Sequence, residues 1–183
     1  MKSKLKKMLL HVCCANCALH PYETLKNDFD VTLYFFNPNI QPIEEYGKRL
    51  VYTKKAAENY SLPLIEAPCD KNTWLEMTNE YKAEPEGGKR CEVCINMRLE
   101  KTAAFAAENG YDIFATTLSV SPHKNSKIIN SAGRMLSEKY GIEFFNADFK
   151  KQDGFKKTMQ ISRELDLYRQ NYCGCAYSIR ETK

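Results

Sequence analysis

Long apolar runs are scarce in this 183-residue sequence. Its mean hydropathy of −0.54 argues against a membrane-buried stretch of about 20 residues. Export is not expected either. The basic start, Met1 to Lys7, leads into an apolar run, Met8 to Val12, interrupted by His11. That run falls short of a signal-peptide core of roughly 7 to 15 residues, so a cytoplasmic location is the expectation. Strong charge of one sign is also missing. The 27 Lys and Arg against 23 Asp and Glu leave +4, a mild excess that permits an anionic partner without demanding one. No Gly-rich phosphate loop, Ser-His-Asp order or His-Glu-x-x-His pattern is present. Internal repeats, linkers and low-complexity segments are absent too, and the length suits one domain over residues 1–183.

What is present alternates. Met8 to Val12 reads as a buried strand that stops at two cysteines, followed by a helix over Ala18 to Lys26 with Asn16 available as its cap. Val31 to Phe36 is a β-branched and aromatic strand closed by Asn37-Pro38-Asn39. A helix from Pro42 to about Tyr60, a brief strand over Pro63 to Glu66 and a helix from Asn72 to Tyr81 follow. Past the loop Glu84 to Arg90, the pattern predicts a helix over Glu92 to Asn109 and a strand over Tyr111 to Leu118. It then predicts a helix over Lys127 to Tyr140, a strand over Ile142 to Phe145 and a helix over Phe155 to Leu167. Strands alternating with helices of this length imply βαβ units. The expected fold is therefore α/β, a doubly wound and mainly parallel sheet of about five strands with helices on both faces. Ligands bind such sheets beyond the carboxyl ends of the strands. That rule puts Cys13, Cys14 and Cys17, with the loop after Thr116-Thr117-Leu118, at the active edge.

Eight cysteines are the outlier in composition. A secreted disulfide framework is normally a shorter, loop-rich chain, so a reduced chain is expected to use them for metal or redox chemistry, with buried inert thiols as the alternative. They cluster as Cys13-Cys14 with Cys17, as Cys91-Glu92-Val93-Cys94, and as Cys173-Gly174-Cys175. A Cys-x-x-Cys at a helix start puts two thiols on one turn near unpaired N–H groups and the positive dipole end, and Lys89 and Arg90 add charge. Four thiolates complete a zinc or a 4Fe-4S site. Adjacent Cys13 and Cys14 make a poor zinc knuckle, whereas neighbours can reach different irons of a cluster. The favoured ligands of such a cluster are Cys13, Cys14, Cys91 and Cys94. Cys173 and Cys175 can close a strained, labile disulfide suited to a two-electron relay, or they are two more metal ligands. Cys69 is read as core or as an accessory ligand.

Among the remaining polar residues, His11 is either a satisfied core histidine or a proton donor beside the cysteine pair. Asp148, after the fifth strand, is a candidate for metal or substrate binding or for helix capping. Tyr168, Arg169 and Tyr172 are candidates for base stacking and phosphate contact, or for ordinary surface packing. Lys150, Lys151, Lys156 and Lys157 with Arg169 are candidates for a basic rim, or simply a solvated face.

The segments His11-Val12-Cys13-Cys14-Ala15-Asn16-Cys17, Asn37 to Pro42 with Glu45, Tyr46 and Arg49, Arg90-Cys91-Glu92-Val93-Cys94 with Arg98-Leu99, Thr116-Thr117-Leu118 with Ser121-Pro122, and Leu167 to Cys175 together resemble the cobalamin-independent epoxyqueuosine reductases. The likeness spans nearly the whole chain, with Asn16 standing where proline is more often expected. It implies a Rossmann-like fold and a 4Fe-4S cluster held by Cys13, Cys14, Cys91 and Cys94. It also implies a redox-active disulfide between Cys173 and Cys175, and in part of the family an adjacent mononuclear iron, for which Cys17 and Asp148 are the candidate ligands. The implied activity is reductive deoxygenation of epoxyqueuosine to queuosine in a tRNA with a GUN anticodon, driven by an external electron donor and without a membrane. The competing readings are another 4Fe-4S oxidoreductase of the phosphosulfate-reductase kind and a zinc-stabilised RNA-binding module.

Overall fold

The computed structural model describes residues 4–68 and 70–179; the expectation for Cys69 lies outside them. Five strands, β1 (Lys6–Val12), β2 (Phe29–Phe35), β3 (Leu64–Glu66), β4 (Ile113–Thr116) and β5 (Glu143–Phe144), lie parallel in the order β3-β2-β1-β4-β5. The helices are α1 (Ala15–Leu25), α2 (Ile43–Asn59), α3 (Lys71–Asn79), α4 (Lys89–Glu108), α5 (Ser126–Tyr140) and α6 (Gly154–Glu164).

From Met8 onward β1 is buried without alternation because both of its faces are covered there, as in parallel sheets generally. Leu9 packs with Leu99, Ala103, Phe114, Ile129 and Leu136, the core under α4 and α5. Met8, Leu10 and Val12 face the other way, against Ala18, Leu25, Leu50 and Ala57 from α1 and α2. Successive residues of one strand thus feed two cores, the period-2 rule of a pleated strand.

Strand order fixes where a site can form. From β1 the chain steps outward to β2 and β3, then returns to lay β4 on the opposite side of β1. The loops leaving β1 and β4 diverge there, and this reversal point is where open parallel sheets bind ligands. Cys13 and Cys14 follow β1 directly.

Element boundaries differ from the sequence pattern in three informative places. α1 begins at Ala15, with Cys14 as its N-cap, so Cys17 falls in the first turn, and Asn16 does not cap the helix. α4 begins at Lys89, after Gly88, which brings Arg90 and Cys91 inside the first turn. β4 stops at Thr116 because that residue's Oγ1 accepts the Leu118 N–H at 3.2 Å, a side-chain competitor for the ladder. The chain then enters a 3-10 turn over Thr117–Val120.

One close approach ties α5 to the sheet. A Cβ on Gly133 would lie 2.3 Å from the Phe144 ring, which packs against Phe114 at 5.0 Å between centroids, the rings tilted by 46°. Overpacking at such a site costs about 1–3 kcal/mol. Gly133→Ala is therefore expected to lower the thermal midpoint by about 2–12 °C for a chain of this size. Thermal denaturation checks this, and adding Phe144→Leu should recover part of the loss; an unchanged midpoint in Gly133→Ala contradicts the packing.

Candidate active site

The sulfurs of Cys13, Cys14 and Cys17 converge: the three lie within 4.8 Å of one another, with Cys13 and Cys14 at 3.9 Å. The turn from β1 into α1 places them, since an N-cap and a first-turn residue of one helix face the same end. Cys14 and Cys17 hydrogen bond to Cys13 and hold its thiol below the usual range, while the same bonds push Cys14 and Cys17 up. Of the three thiols, Cys13 therefore gives up its proton most readily.

The second group lies beside the first. Cys91 and Cys94 on α4 line a cavity of about 90 Å³ together with Cys173 and Cys175. A neighbouring cavity of about 220 Å³ is bounded by Cys13, Cys17 and Cys173, with Arg49, Phe155, Thr158 and Arg169 also in its lining. Glu86, His123, Lys124 and Cys173 belong to both walls, so Cys173 stands between the two thiol groups. Burial raises the thiols of Cys91 and Cys94. At Cys91 the Gly87 N–H, 3.3 Å from Sγ, works the other way. Desolvation is the largest influence at both.

The cations Arg98 and Lys124 stand in the wall of the smaller cavity, where Glu86 and Glu92 are the carboxylates. Arg98 is 2 % exposed; it donates to Asn37 Oδ1 at 2.6 Å, and its Nε has no partner. Asn39 Oδ1, in the same cavity wall, is also buried and unpaired. At Lys124, burial opposes the charge, but the sulfurs of Cys173, Cys13 and Cys17 overcome it and raise the ammonium above its ordinary value. Soft sulfur donors, buried positive charge and orphaned polar atoms in the wall fit a negatively charged iron-sulfur group.

A strap formed by residues 168–175 closes the site from above. Arg49, 1 % exposed, donates from Nη1 to the Cys173 carbonyl at 2.9 Å and from Nη2 to the Tyr172 carbonyl at 3.1 Å. Its Nε pairs with Glu45 at 2.6 Å, and Glu45 also accepts from the Tyr168 hydroxyl at 2.8 Å. The Gly174 carbonyl accepts from Gln41 N–H at 2.7 Å, and the Tyr172 hydroxyl donates to the Gln41 carbonyl. Gly174 has φ of +118°, and a Cβ there would lie 2.9 Å from Arg49 Nη1, so the strap needs glycine at this point.

Other sequence candidates are placed differently. His11 is fully buried. Its Nε2 donates to the Phe36 carbonyl at 3.1 Å, so Nδ1, 2.9 Å from Thr116 Oγ1, accepts that hydroxyl's proton. Burial, then the Arg98 charge, lowers the ring to about 3. His11 is thus a neutral brace between β1, β2 and β4, with no proton facing either cavity. Asp148 accepts from Ser126 Oγ at 2.9 Å, faces Lys150 at 3.8 Å and lines neither cavity. Lys151, Lys156 and Lys157 are exposed, whereas Lys150 Nζ donates to the Lys124 carbonyl at 2.8 Å. The sequence reading gave no role to Lys124, Arg98 or Gln170. Arg98 and Gln170, like Glu45 and Arg49, entered it only as parts of the motifs that carry the family resemblance.

The sequence profile of the family described as epoxyqueuosine reductase QueH matches residues 8–181. The chain belongs to the QueH family. Among curated members, that of Thermotoga maritima is 40% identical over 179 residues, covering 96% of this chain and 92% of its own. The Streptococcus pyogenes member is 39% identical over 179 residues, covering 94% of this chain and 70% of its own. Among solved structures, the U34-tRNA thiolase NcsA of Methanococcus maripaludis with its [4Fe-4S] cluster superimposes with a TM-score of 0.57 at 14% identity, over 97% of this chain and 63% of that one. That likeness is one of fold alone: it supports the Rossmann-like description of this QueH sheet. Among the described residues of this family member, no helix is long and apolar enough to cross a membrane.

Proposed function

We propose that the protein reduces epoxyqueuosine to queuosine in the anticodon loop of a GUN tRNA, as an oxidoreductase of the cytoplasm fed by an external electron donor. In this reading Cys13, Cys14, Cys91 and Cys94 hold a 4Fe-4S cluster, and Cys173 with Cys175 forms a redox-active pair. The observation that carries it, beside family membership, is the meeting of thiols from three separate segments around two adjoining cavities at the reversal point of the sheet.

The chemistry balances on the chain's own groups. Removing the epoxide oxygen breaks two carbon–oxygen bonds, forms one carbon–carbon double bond and yields water, consuming two electrons and two protons. Oxidation of the Cys173 and Cys175 thiols to one disulfide releases two electrons and two protons, and the external donor restores the dithiol. Clamping of the Tyr172, Cys173 and Gly174 carbonyls by Arg49 and Gln41 fixes the backbone, so closing and opening the bond moves little but the sulfurs. A bound cluster supplies one-electron transfer and Lewis acidity toward the epoxide oxygen. Lys124, in the wall of both cavities, supplies positive charge toward the oxyanion that develops as the epoxide opens, the two protons coming from the dithiol; His11 acts as a brace. Cys17 is the donor at hand for any adjacent iron. The 220 Å³ cavity receives the reacting ring, with Phe155 and Arg169 in its lining for base and phosphate contact.

Anaerobic reconstitution followed by assay on tRNA carrying epoxyqueuosine tests the reading: a brown protein that makes queuosine supports it, and a fully active colourless one overturns it. tRNA affinity should fall steeply with salt, its log–log slope reduced in Lys156→Ala/Lys157→Ala; a flat response removes the basic rim. A second reading follows from the 3.9 Å between Cys13 and Cys14. Two thiolates on one tetrahedral ion with bonds of about 2.3 Å stand about 3.8 Å apart, so a lone zinc in the Cys13, Cys14 and Cys17 triad suits the same sulfurs. Absence of iron and sulfide in the active protein would favour it.

A further inference from the structure

Outside the clamped backbone, the strap makes one more contact that the chemistry above leaves unused. Gln170 Nε2 lies 3.0 Å from Cys14 Sγ. A side-chain amide can be turned either way, but its neighbours fix this one. The Tyr168 carbonyl can only accept, so the group 2.8 Å from it is the NH₂ of Asn16. Asn16 Oδ1 in turn accepts the Ser162 hydroxyl at 2.6 Å. The Asn16 NH₂ is also 3.5 Å from Gln170 Oε1, which leaves the Gln170 NH₂ facing the sulfur. Asn16 and Ser162 are both buried, so bulk water does not compete for these partners.

We propose that Gln170 is a positioning residue that sets the reduction potential of the iron-sulfur centre through its N–H···S hydrogen bond to Cys14. The inference rests on the reading that Cys14 ligates the cluster. Reduction adds negative charge that spreads onto the ligating sulfurs, so a donor aimed at one of them stabilises the reduced form more than the oxidised form and raises the potential. Asn16 acts one step behind, by orienting the Gln170 amide. Because Gln170 and the Cys173–Cys175 pair share one strap, the segment that carries the two-electron store also adjusts the one-electron centre it serves.

The test is a potentiometric titration of anaerobically reconstituted protein, followed by electron paramagnetic resonance and compared at equal iron and sulfide per chain. Gln170→Leu, which removes the donor, is expected to shift the midpoint to lower potential. Gln170→Glu, which keeps the shape and replaces the donor with a carboxylate, is expected to shift it further the same way. Asn16→Pro suits the first turn of a helix and is expected to give a smaller shift in that direction; an unchanged midpoint there overturns the orienting role of Asn16. An unchanged or raised midpoint in Gln170→Leu overturns the proposal, and if that variant takes up no iron, the Gln170→Glu midpoint decides in the same way. In the wild-type protein, isotopic labelling of the glutamine side-chain nitrogen should add a weak nitrogen coupling to the reduced-cluster signal, and its absence also overturns the proposal. These readouts need no tRNA. Failure of deoxygenation leaves them standing, whereas a wild-type protein that never turns brown defeats the cluster reading first.

Discussion

Cys175→Ser is expected to reduce multi-turnover deoxygenation to background while iron content and tRNA affinity stay at wild-type levels. The substitution is mild for the fold. Cys175 is buried, its Sγ lies 3.4 Å from Ser178 Oγ, and a serine hydroxyl can keep that contact. The bonds that seat the strap run to the carbonyls of residues 172–174 and do not involve the Cys175 side chain. What is lost is the chemistry: one thiol cannot close a disulfide, so the pair can no longer deliver two electrons with two protons. Nucleoside analysis of digested tRNA after several equivalents of donor, alongside iron and sulfide assays, reads the result. Full turnover at matched iron removes the dithiol from the mechanism. Loss of iron in Cys175→Ser would instead make Cys173 and Cys175 ligands, the other use their spacing allows.

Local rules reached the parts of this protein that local sequence controls. β1 was legible because burial on both faces demands consecutive apolar residues, and Met8, Leu9 and Leu10 supply them on two separate cores. The place of the site was legible as well, since the alternation of strands and helices implies the sheet and the sheet implies its ligand edge. Boundaries failed where a side chain or a turn overrode the pattern, as at Thr116, whose hydroxyl ends β4, and at Gly88, from which α4 starts a turn early. The cysteine groups were visible as motifs, but which of them adjoin was not: Cys173 reaches both thiol groups only because the strap folds back over α2. The same long return hides Gln170, 156 residues from the Cys14 it touches. Of the two readings of His11, core histidine or proton donor, its ring contacts fit the first, and those partners, Phe36 just past β2 and Thr116 of β4, are ones that proximity in sequence does not reveal.

Arg49→Met should be the most destabilising single change near the site, because Arg49 is a buried charge with three obligations. Its guanidinium neutralises Glu45 and saturates the carbonyls of Tyr172 and Cys173. Methionine matches much of the stem volume and none of the donors, so a carboxylate and two carbonyls lose their partners together. Removing one member of a buried ion pair typically costs about 3–5 kcal/mol. For a chain of this length that is a fall in thermal midpoint of about 6–20 °C. Lysine is not a conservative replacement, since one ammonium cannot span the fork that reaches Glu45 on one side and the strap on the other. The cycle with Glu45→Gln separates charge from clamping. Neutralising Glu45 relieves the unpaired carboxylate, so Glu45→Gln/Arg49→Met should be more stable than the sum of the single changes implies. The strap stays unclamped in the double variant, however, and the Cys173–Cys175 pair loses its fixed backbone. Stability should therefore return in part while multi-turnover activity does not. Equal recovery of both would show that Arg49 serves the ion pair alone and that the strap holds its position without it.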